Sequence, residues 1–251
     1  MTGQANPTAS VLLIGNELLS GKTQDANLKF LATEMSKLGI RLEEARVIRD
    51  DLDAIVAHVN ECRARYTYVF TTGGIGPTHD DITAAAVAKA FGVELVVDPE
   101  AVVRLKHGGR ELNEARLRMA RVPAGASLID NPISAAPGFR IENVFVLAGI
   151  PAVAHAMFAS LEPMLRTGAV IHSRSTDVLL REGDFALELE RIARAHPDVE
   201  IGSYPFARDG RYGATLVVRG TDLATVESVL GEVEETMAKL IASREAGPPR
   251  P

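Results

Sequence analysis

The sequence predicts an α/β protein: a mostly parallel sheet with helices on both faces, followed by a smaller α+β module. Three observations predict it. Runs that are apolar throughout, such as Val11–Ile14, alternate with stretches whose apolar residues recur at helical spacing; strands buried on both faces have that character, and their alternation with helices calls for parallel pairing. The helical stretches stop at glycines, Gly39 and Gly92, which tolerate the left-handed conformation of a helix end. After Gly168 the rhythm changes to strand, helix, strand, strand, helix, the order of a split βαβ unit.

In chain order, Val11–Ile14 is the first strand, and Asp25–Leu38 is a helix with Leu28, Leu31, Met35 and Leu38 on one face. Leu42–Ile48 is a strand. Asp51–Arg63 is an amphipathic helix whose apolar face includes Ile55, Val56, Val59 and the lone Cys62, a core residue on this reading. The strand Tyr66–Thr72 and the alanine-rich helix Ile82–Phe91 flank a glycine-rich loop, and Val93–Val97 is a further β-branched run. Pro99–Ala120 is helical but broken at Gly108-Gly109. Phe139–Ile141 and Val144–Leu147 form a hairpin around Glu142-Asn143, and Pro151 opens a helix to about Leu165, since proline suits a first helical position. In the second module Thr176–Leu180 is a strand and Asp184–Ala195 a helix. Val199–Pro205 and Tyr212–Val218 are strands joined through Arg208-Asp209-Gly210, and Asp222–Ile241 is a long helix. The expected division is a disordered N-terminus over 1–9, an α/β domain over 10–168, an α+β domain over 169–243 and a disordered tail over 244–251.

Composition narrows the function classes. The net charge of −6, the absence of Trp, 5% aromatics and the lack of any basic run argue against a nucleic-acid partner. No apolar run is long enough to span a bilayer, and Met1–Ala9 lacks the features of a signal peptide. With a single cysteine, a disulfide framework is ruled out, and a cytoplasmic protein without membrane association is the expectation.

Two loops carry the chemistry. In open α/β sheets ligands collect beyond the carboxyl ends of the strands, where the strand order reverses. Gly15-Asn16-Glu17 follows the first strand there, and Gly73–Thr83 (GGIGPTHDDIT) follows Tyr66–Thr72. A strand, a glycine-rich loop and a helix start present backbone N–H groups to a phosphate. Asp80 and Asp81 would repel that phosphate unless a divalent cation, Mg²⁺ by preference, bridges them to it. A turn with an ordinary helix cap would need one short polar side chain, whereas Thr78, Asp80, Asp81 and Thr83 crowd this helix start. Asp80 and Asp81 are therefore the candidate metal-binding and catalytic residues, activating water. The candidate ligand-binding residues are Gly15, Asn16 and Glu17, then Thr72, Gly73, Gly74, Gly76, Pro77, Thr78 and Thr83, with Asn131 and Gly138 as a further wall. A plain turn explains those last two nearly as well. Valine at Gly74 is expected to harm ligand binding more than stability, by filling the space a phosphate approaches.

Residues Thr71–Thr83 (TTGGIGPTHDDIT) resemble the signature of the molybdopterin-binding (Mog/MoaB-like) superfamily, and within it the N-terminal domain of the CinA (competence/damage-inducible protein A) family. Val11–Gly21, Asn131–Phe139 and Leu147–Pro151 resemble that family's other motifs in the same order. The resemblance implies a MoaB/Mog-like three-layer αβα sandwich with a mostly parallel sheet, then a small KH-like α+β domain. It places Glu17 in the pocket. It implies either metal-dependent hydrolysis of a nucleotide diphosphate, ADP-ribose being the family's substrate, or binding of a pterin such as molybdopterin in molybdenum cofactor metabolism. A non-catalytic nucleotide sensor is a third alternative, and a homo-oligomer, dimer or trimer, is expected. Ala148 and Ser134 stand where proline and glycine are usual in the family, which bears on substrate more than on fold. The amidase domain of full-length CinA proteins has no counterpart in this sequence, and that activity is not expected.

Overall fold

A computed structural model describes residues 5–107, 111–208 and 210–245. The chain divides into two compact units, residues 1–168 and 169–251. The Gly108-Gly109 break, Asp209 of the second-unit hairpin, and residues 1–4 and 246–251 of the two termini lie outside the described residues.

The first unit runs β1 (Thr8–Ile14), α1 (Asn16–Leu19), α2 (Asn27–Lys37), β2 (Arg41–Ile48), α3 (Leu52–Arg65), β3 (Tyr68–Thr72), α4 (Thr83–Phe91), β4 (Leu95–Val97), α5 (Pro99–His107), α6 (Glu114–Leu117), β5 (Arg121–Pro123), β6 (Ser127–Ile129), β7 (Gly138–Ile141), β8 (Val144–Leu147) and α7 (Pro151–Leu161). Six strands form one sheet in the order β2-β1-β3-β8-β7-β6. The four from β2 to β8 are parallel, and β7 and β6 are added antiparallel.

Alternation along the strands divides the core into two layers. Val11 and Leu13 of β1 and Phe70 of β3 pack with Leu31 and Met35 of α2 and Met157 and Phe158 of α7. Leu12 and Ile14 of β1, with Val69 of β3, pack with Ile55, Val59 and Cys62 of α3 and Ala86 and Val87 of α4. Successive side chains of a strand point to opposite faces, so a run apolar throughout needs helices on both sides. A fully buried leucine, valine or phenylalanine contributes about 1.5–3 kcal/mol. The result is the expected three-layer, mostly parallel arrangement. Asp51 caps α3 by accepting the Ala54 N–H at 2.9 Å, and Gly92 ends α4 in the left-handed region.

Three expectations need correction. The segment 1–9 is not disordered throughout: Thr8 and Ala9 belong to β1, and the Pro7 carbonyl accepts the Arg41 N–H. Val93–Val97 contributes only the short β4, which pairs antiparallel with β5 outside the main sheet; Val96 and Val97, 36% and 44% exposed, lack the two-sided cover a central strand requires. At the other end, the last helix, Leu223–Glu245, continues into the expected tail.

The second unit runs β9 (His172–Val178), α8 (Ala186–Ala195), β10 (Glu200–Arg208), β11 (Arg211–Gly220) and α9 (Leu223–Glu245). Its sheet order is β10-β11-β9, antiparallel throughout, so β11 separates the parallel pair β9 and β10 that α8 connects. Leu216 and Val218 of β11 pack on Ile192 of α8 and on Val226, Val229, Val233 and Met237 of α9. No helix among the described residues is long and apolar enough to cross a membrane.

Candidate functional site

The chain leaves β1 for β2 on one side and then crosses to β3 on the other. The carboxyl ends of β1 and β3 therefore bound the crevice where the order reverses. A cleft of about 630 Å³ opens there, within the usual size of a small-molecule site. Three loops wall it: Gly15–Glu17 after β1, Gly73–Asp81 after β3, and Ala148–Pro151 after β8. Another hollow, of about 520 Å³ in the second unit, is lined by Arg181, Arg211 and Arg244 and by none of the residues marked in the sequence.

The β3 loop forms the floor. Gly73 donates its N–H to the Leu147 carbonyl at 3.2 Å, and Thr78 donates its N–H to Asp81 Oδ2 at 2.8 Å. Between them, the N–H groups of Gly74, Ile75 and Gly76 make no hydrogen bond to any described residue. Consecutive unbonded amides in such a loop form a concave anion acceptor. Gly73, expected among the phosphate donors, has its N–H engaged within the fold.

The two carboxylates are tied together by Thr78. Its hydroxyl lies 2.5 Å from Asp80 Oδ1 and 2.6 Å from Asp81 Oδ2, and one proton cannot serve both. That hydroxyl, foremost, and the backbone N–H of Asp80 hold the Asp80 carboxyl below its ordinary value. Asp81 Oδ1 accepts no bond from the described residues. Hard oxygen donors with unused lone pairs suit a divalent cation. Even so, no group of three His, Cys, Asp or Glu among the described residues forms a ready cage, so any ion there would take other ligands from water or from the bound molecule.

Asp50, just beyond β2, joins this cleft although the sequence reading passed over it. Its Oδ2 accepts the Asn16 N–H at 2.8 Å. Burial, and after it the charges of Glu17, Asp80 and Asp81, push its carboxyl above the ordinary value, against the lowering effect of the Asn16 N–H. Glu17, Asp50, Asp80 and Asp81 are the only charged residues lining the cleft among the described residues.

Of the remaining expected residues, Gly15, Glu17, Gly74, Gly76, Pro77, Thr78 and Asn131 line the cleft, while Asn16, Thr72, Thr83 and Gly138 do not. Thr72 is buried at the end of β3. Thr83 is buried beneath the loop, its hydroxyl donating to the Gly73 carbonyl at 3.0 Å. Gly138 is needed by the sheet, because a Cβ there would lie 2.4 Å from the Val146 carbonyl oxygen. Asn131 folds its own turn: Nδ2 donates to Ser134 Oγ and the Ala136 carbonyl, and Oδ1 accepts the N–H groups of Ile133 and Ser134. The residue there with positive φ is Ala135 (φ 62°), so serine at 134 creates no backbone strain. Gly74 also departs from expectation. Its φ is +68°, and a Cβ would meet Thr83 Oγ1 at 2.1 Å, so a side chain there strikes the helix start rather than a ligand.

Several lining residues were missed, Ile75, Met119, Ile150 and Val153, whereas Ser134, Ala136 and Ala148, which the sequence had tied to the pocket, do line it. Leu147–Pro151 was marked only as a motif. Its place in the cleft follows from the pairing of β8 with β3, and that pairing has no local signal.

Comparison with known proteins gives the following. Residues 10–167 match the family described as probable molybdopterin binding domain, and residues 170–245 match that described as FAD synthase, middle domain. A CinA-like protein of Gloeobacter violaceus is 31% identical, covering 92% of this chain and 57% of its own. A probable FAD synthase of Caenorhabditis elegans is 32% identical, covering 92% of this chain and 50% of its own. The chain thus spans about half the length of these two relatives. A solved structure of CinA from Thermoplasma acidophilum, described as of unknown function, is 32% identical with a TM-score of 0.60, covering 64% of this chain and 99% of that one.

Proposed function

The chain belongs to the molybdopterin-binding domain family, with CinA-like relatives, and from that premise we propose that its cleft binds a nucleotide diphosphate with a divalent cation and hydrolyses the diphosphate bond. The observation that carries this reading is the row of three unbonded amides, Gly74 to Gly76, beside the Asp80–Asp81 pair at the strand-order reversal. The amides suit phosphate oxygens. Among the described residues four carboxylates and no lysine or arginine line the cleft, so a diphosphate is expected to bind there only with a metal ion. Two relatives bear on the substrate: the resemblance to CinA proteins implies ADP-ribose, and the FAD synthase relative is named for FAD. Both molecules carry ADP joined through its diphosphate to a hydroxylated chain.

In this reading Asp80 and Asp81 would hold a Mg²⁺ ion, which when bound would supply positive charge for the diphosphate oxygens and for acidifying water. Thr78 fixes the two carboxylates relative to each other. Gly74–Gly76 hold the phosphate through N–H groups already in place, and the apolar Ile75, Met119 and Val153 restrict the access of bulk water. Hydrolysis adds water across the P–O–P bridge and yields two phosphate monoesters, AMP and ribose 5-phosphate from ADP-ribose. Assembly as a dimer or trimer is part of the same proposal and is checked by sedimentation.

A second reading, binding of a pterin such as molybdopterin without turnover, is favoured by the description of the matched family and by the apolar wall of Met119, Ala136 and Ala148. Thermal shift with ADP-ribose, FAD and molybdopterin, each with Mg²⁺ or with chelator, separates the readings, and phosphorus NMR identifies the products. A ligand at a hundredfold excess over Kd stabilises the native state by about 3 kcal/mol. Mg²⁺-dependent shifts with turnover support the hydrolase; a molybdopterin shift alone supports the second reading. A flat response to every diphosphate sinks the first.

A further inference from the structure

Resting on the diphosphate reading, we propose that Asp50 is a specificity residue whose carboxylate accepts hydroxyls of the sugar on the far side of the diphosphate from the nucleoside.

Sheet order carries the argument. The cleft-lining carboxylates outside the β3 loop leave the ends of β2 (Asp50) and β1 (Glu17), whereas Ala148, Ile150 and Val153 come from the β8–α7 side and Ala136 from the turn before β7. In the order β2-β1-β3-β8-β7 the β3 loop lies between these two groups. A diphosphate on the amides of Gly74–Gly76 therefore has on one side a mostly apolar wall, with Asn131 and Ser134 as its polar members, and two carboxylates on the other. From β2 to β8 is three strand steps of about 4.8 Å, roughly 14 Å in all, a distance that a diphosphate with a substituent at each end can cover. The flat ring suits the apolar side. The opposite substituent must offer hydrogen-bond donors without negative charge, and a sugar does.

Asp50 is suited to receive them. Its Oδ2 is anchored by the Asn16 N–H, while Oδ1 accepts nothing from the described residues. Among the described residues no lysine, arginine or histidine lines the cleft to pair with it. Its bond to the N–H of Asn16, the residue before Glu17, sets it on the Glu17 side. In dinucleotide-binding sheets an acid at the corresponding place accepts ribose hydroxyls. The physical reason carries over, because the strand beside β1 ends next to whatever lies over the β1 loop.

Two probes with a carbon bridge in place of the diphosphate oxygen, and so resistant to hydrolysis, test this by calorimetry with Mg²⁺: methylene-bridged ADP-ribose and methylene-bridged ADP methyl ester, which lacks the distal sugar. The parent protein should bind the ribose probe more tightly. Asp50→Asn retains an acceptor for the Asn16 N–H. It should weaken the ribose probe about tenfold or more, as expected for a lost hydrogen bond to a charged group, and leave the methyl ester unchanged. Unchanged methyl-ester binding also shows that the variant is folded. Equal weakening of both probes assigns Asp50 to the diphosphate or the cation and overturns the inference. So does a variant that keeps the full preference for ribose, or a parent that binds both probes equally. A parent that binds neither overturns the diphosphate reading itself.

Discussion

Replacing Gly74 with alanine should destabilise the first unit, and the effect should depend on Thr83. The position has φ +68°, where a non-glycine residue is strained by about 1–2 kcal/mol. The new Cβ would lie 2.1 Å from Thr83 Oγ1 and 3.2 Å from Thr83 Cβ. Thr83 is fully buried. To make room, its hydroxyl must leave the Gly73 carbonyl it holds at 3.0 Å, and a buried polar group left unsatisfied costs about 1–3 kcal/mol. Alanine restricts the unfolded chain and returns about 0.4–1 kcal/mol. The net loss is then about 1–4.5 kcal/mol, or roughly 2–18 °C in Tm for a unit of this size.

The assay is a double-mutant cycle in urea followed by circular dichroism. Thr83→Ala alone should cost about 1–2 kcal/mol, through the lost bond to Gly73. With Thr83 already alanine, the cost of Gly74→Ala should shrink toward the backbone strain, because the clashing oxygen has gone. The two changes should therefore couple favourably by about 1 kcal/mol or more. Effects additive to within about 0.5 kcal/mol would refute the reasoning and return Gly74 to a role in ligand approach.

Three further outcomes are expected. Asp81→Asn should melt within about 1 kcal/mol of the parent, since an amide oxygen can still accept the Thr78 N–H, yet lose Mg²⁺-dependent turnover of ADP-ribose by orders of magnitude; undiminished turnover removes Asp81 from the mechanism. Asp50→Asn in chelator should melt above the parent at neutral pH. The native Asp50 pKa is raised by burial, so its penalty is full above the native value and gone below the unfolded value near 3.9. The advantage should shrink as pH falls through the carboxylate range, and growth of the advantage on acidification contradicts the assignment. Ala135→Gly should stabilise by about 0.5–1 kcal/mol, because φ 62° is strained for alanine; a denaturation midpoint shifted downward counts against that strain.

Much of the fold was legible because burial on two faces leaves a mark in the sequence. β1 and β3 are apolar along most of their length, and α2, α3 and α9 carry their apolar residues at helical spacing. β4, β5 and β6 have three residues each, too few to show a period, and their pairing is decided by distant partners. The same limit divides the site. Glu17 stood out as an acid directly after a buried strand. Asp50 follows β2 in the same way, but beside Asp51, whose cap of α3 offers an ordinary explanation for acids at that place. Met119 and Ala136 reach the cleft only through tertiary packing.

The glycines show how a correct location can come with an incomplete cause. They were read as openings for a phosphate, yet four of them first make room for the chain itself. A Cβ on Gly73 would lie 2.1 Å from the Ile14 carbonyl oxygen, so β1 and β3 end side by side only if that residue is bare. A Cβ on Gly74 would meet Thr83. On Gly15 it would meet Glu17 Oε1 at 2.5 Å, and on Gly76 Asp81 Oδ2 at 2.7 Å. The last two matter for chemistry, because each lets a carboxylate fold back against the backbone of the loop that precedes it. A charge held there has little protein cation to answer it and lies beside amides that favour anions. Such a site gains from a ligand that brings its own positive charge, so the acids and the amides can share one cleft when a metal ion and a diphosphate enter together.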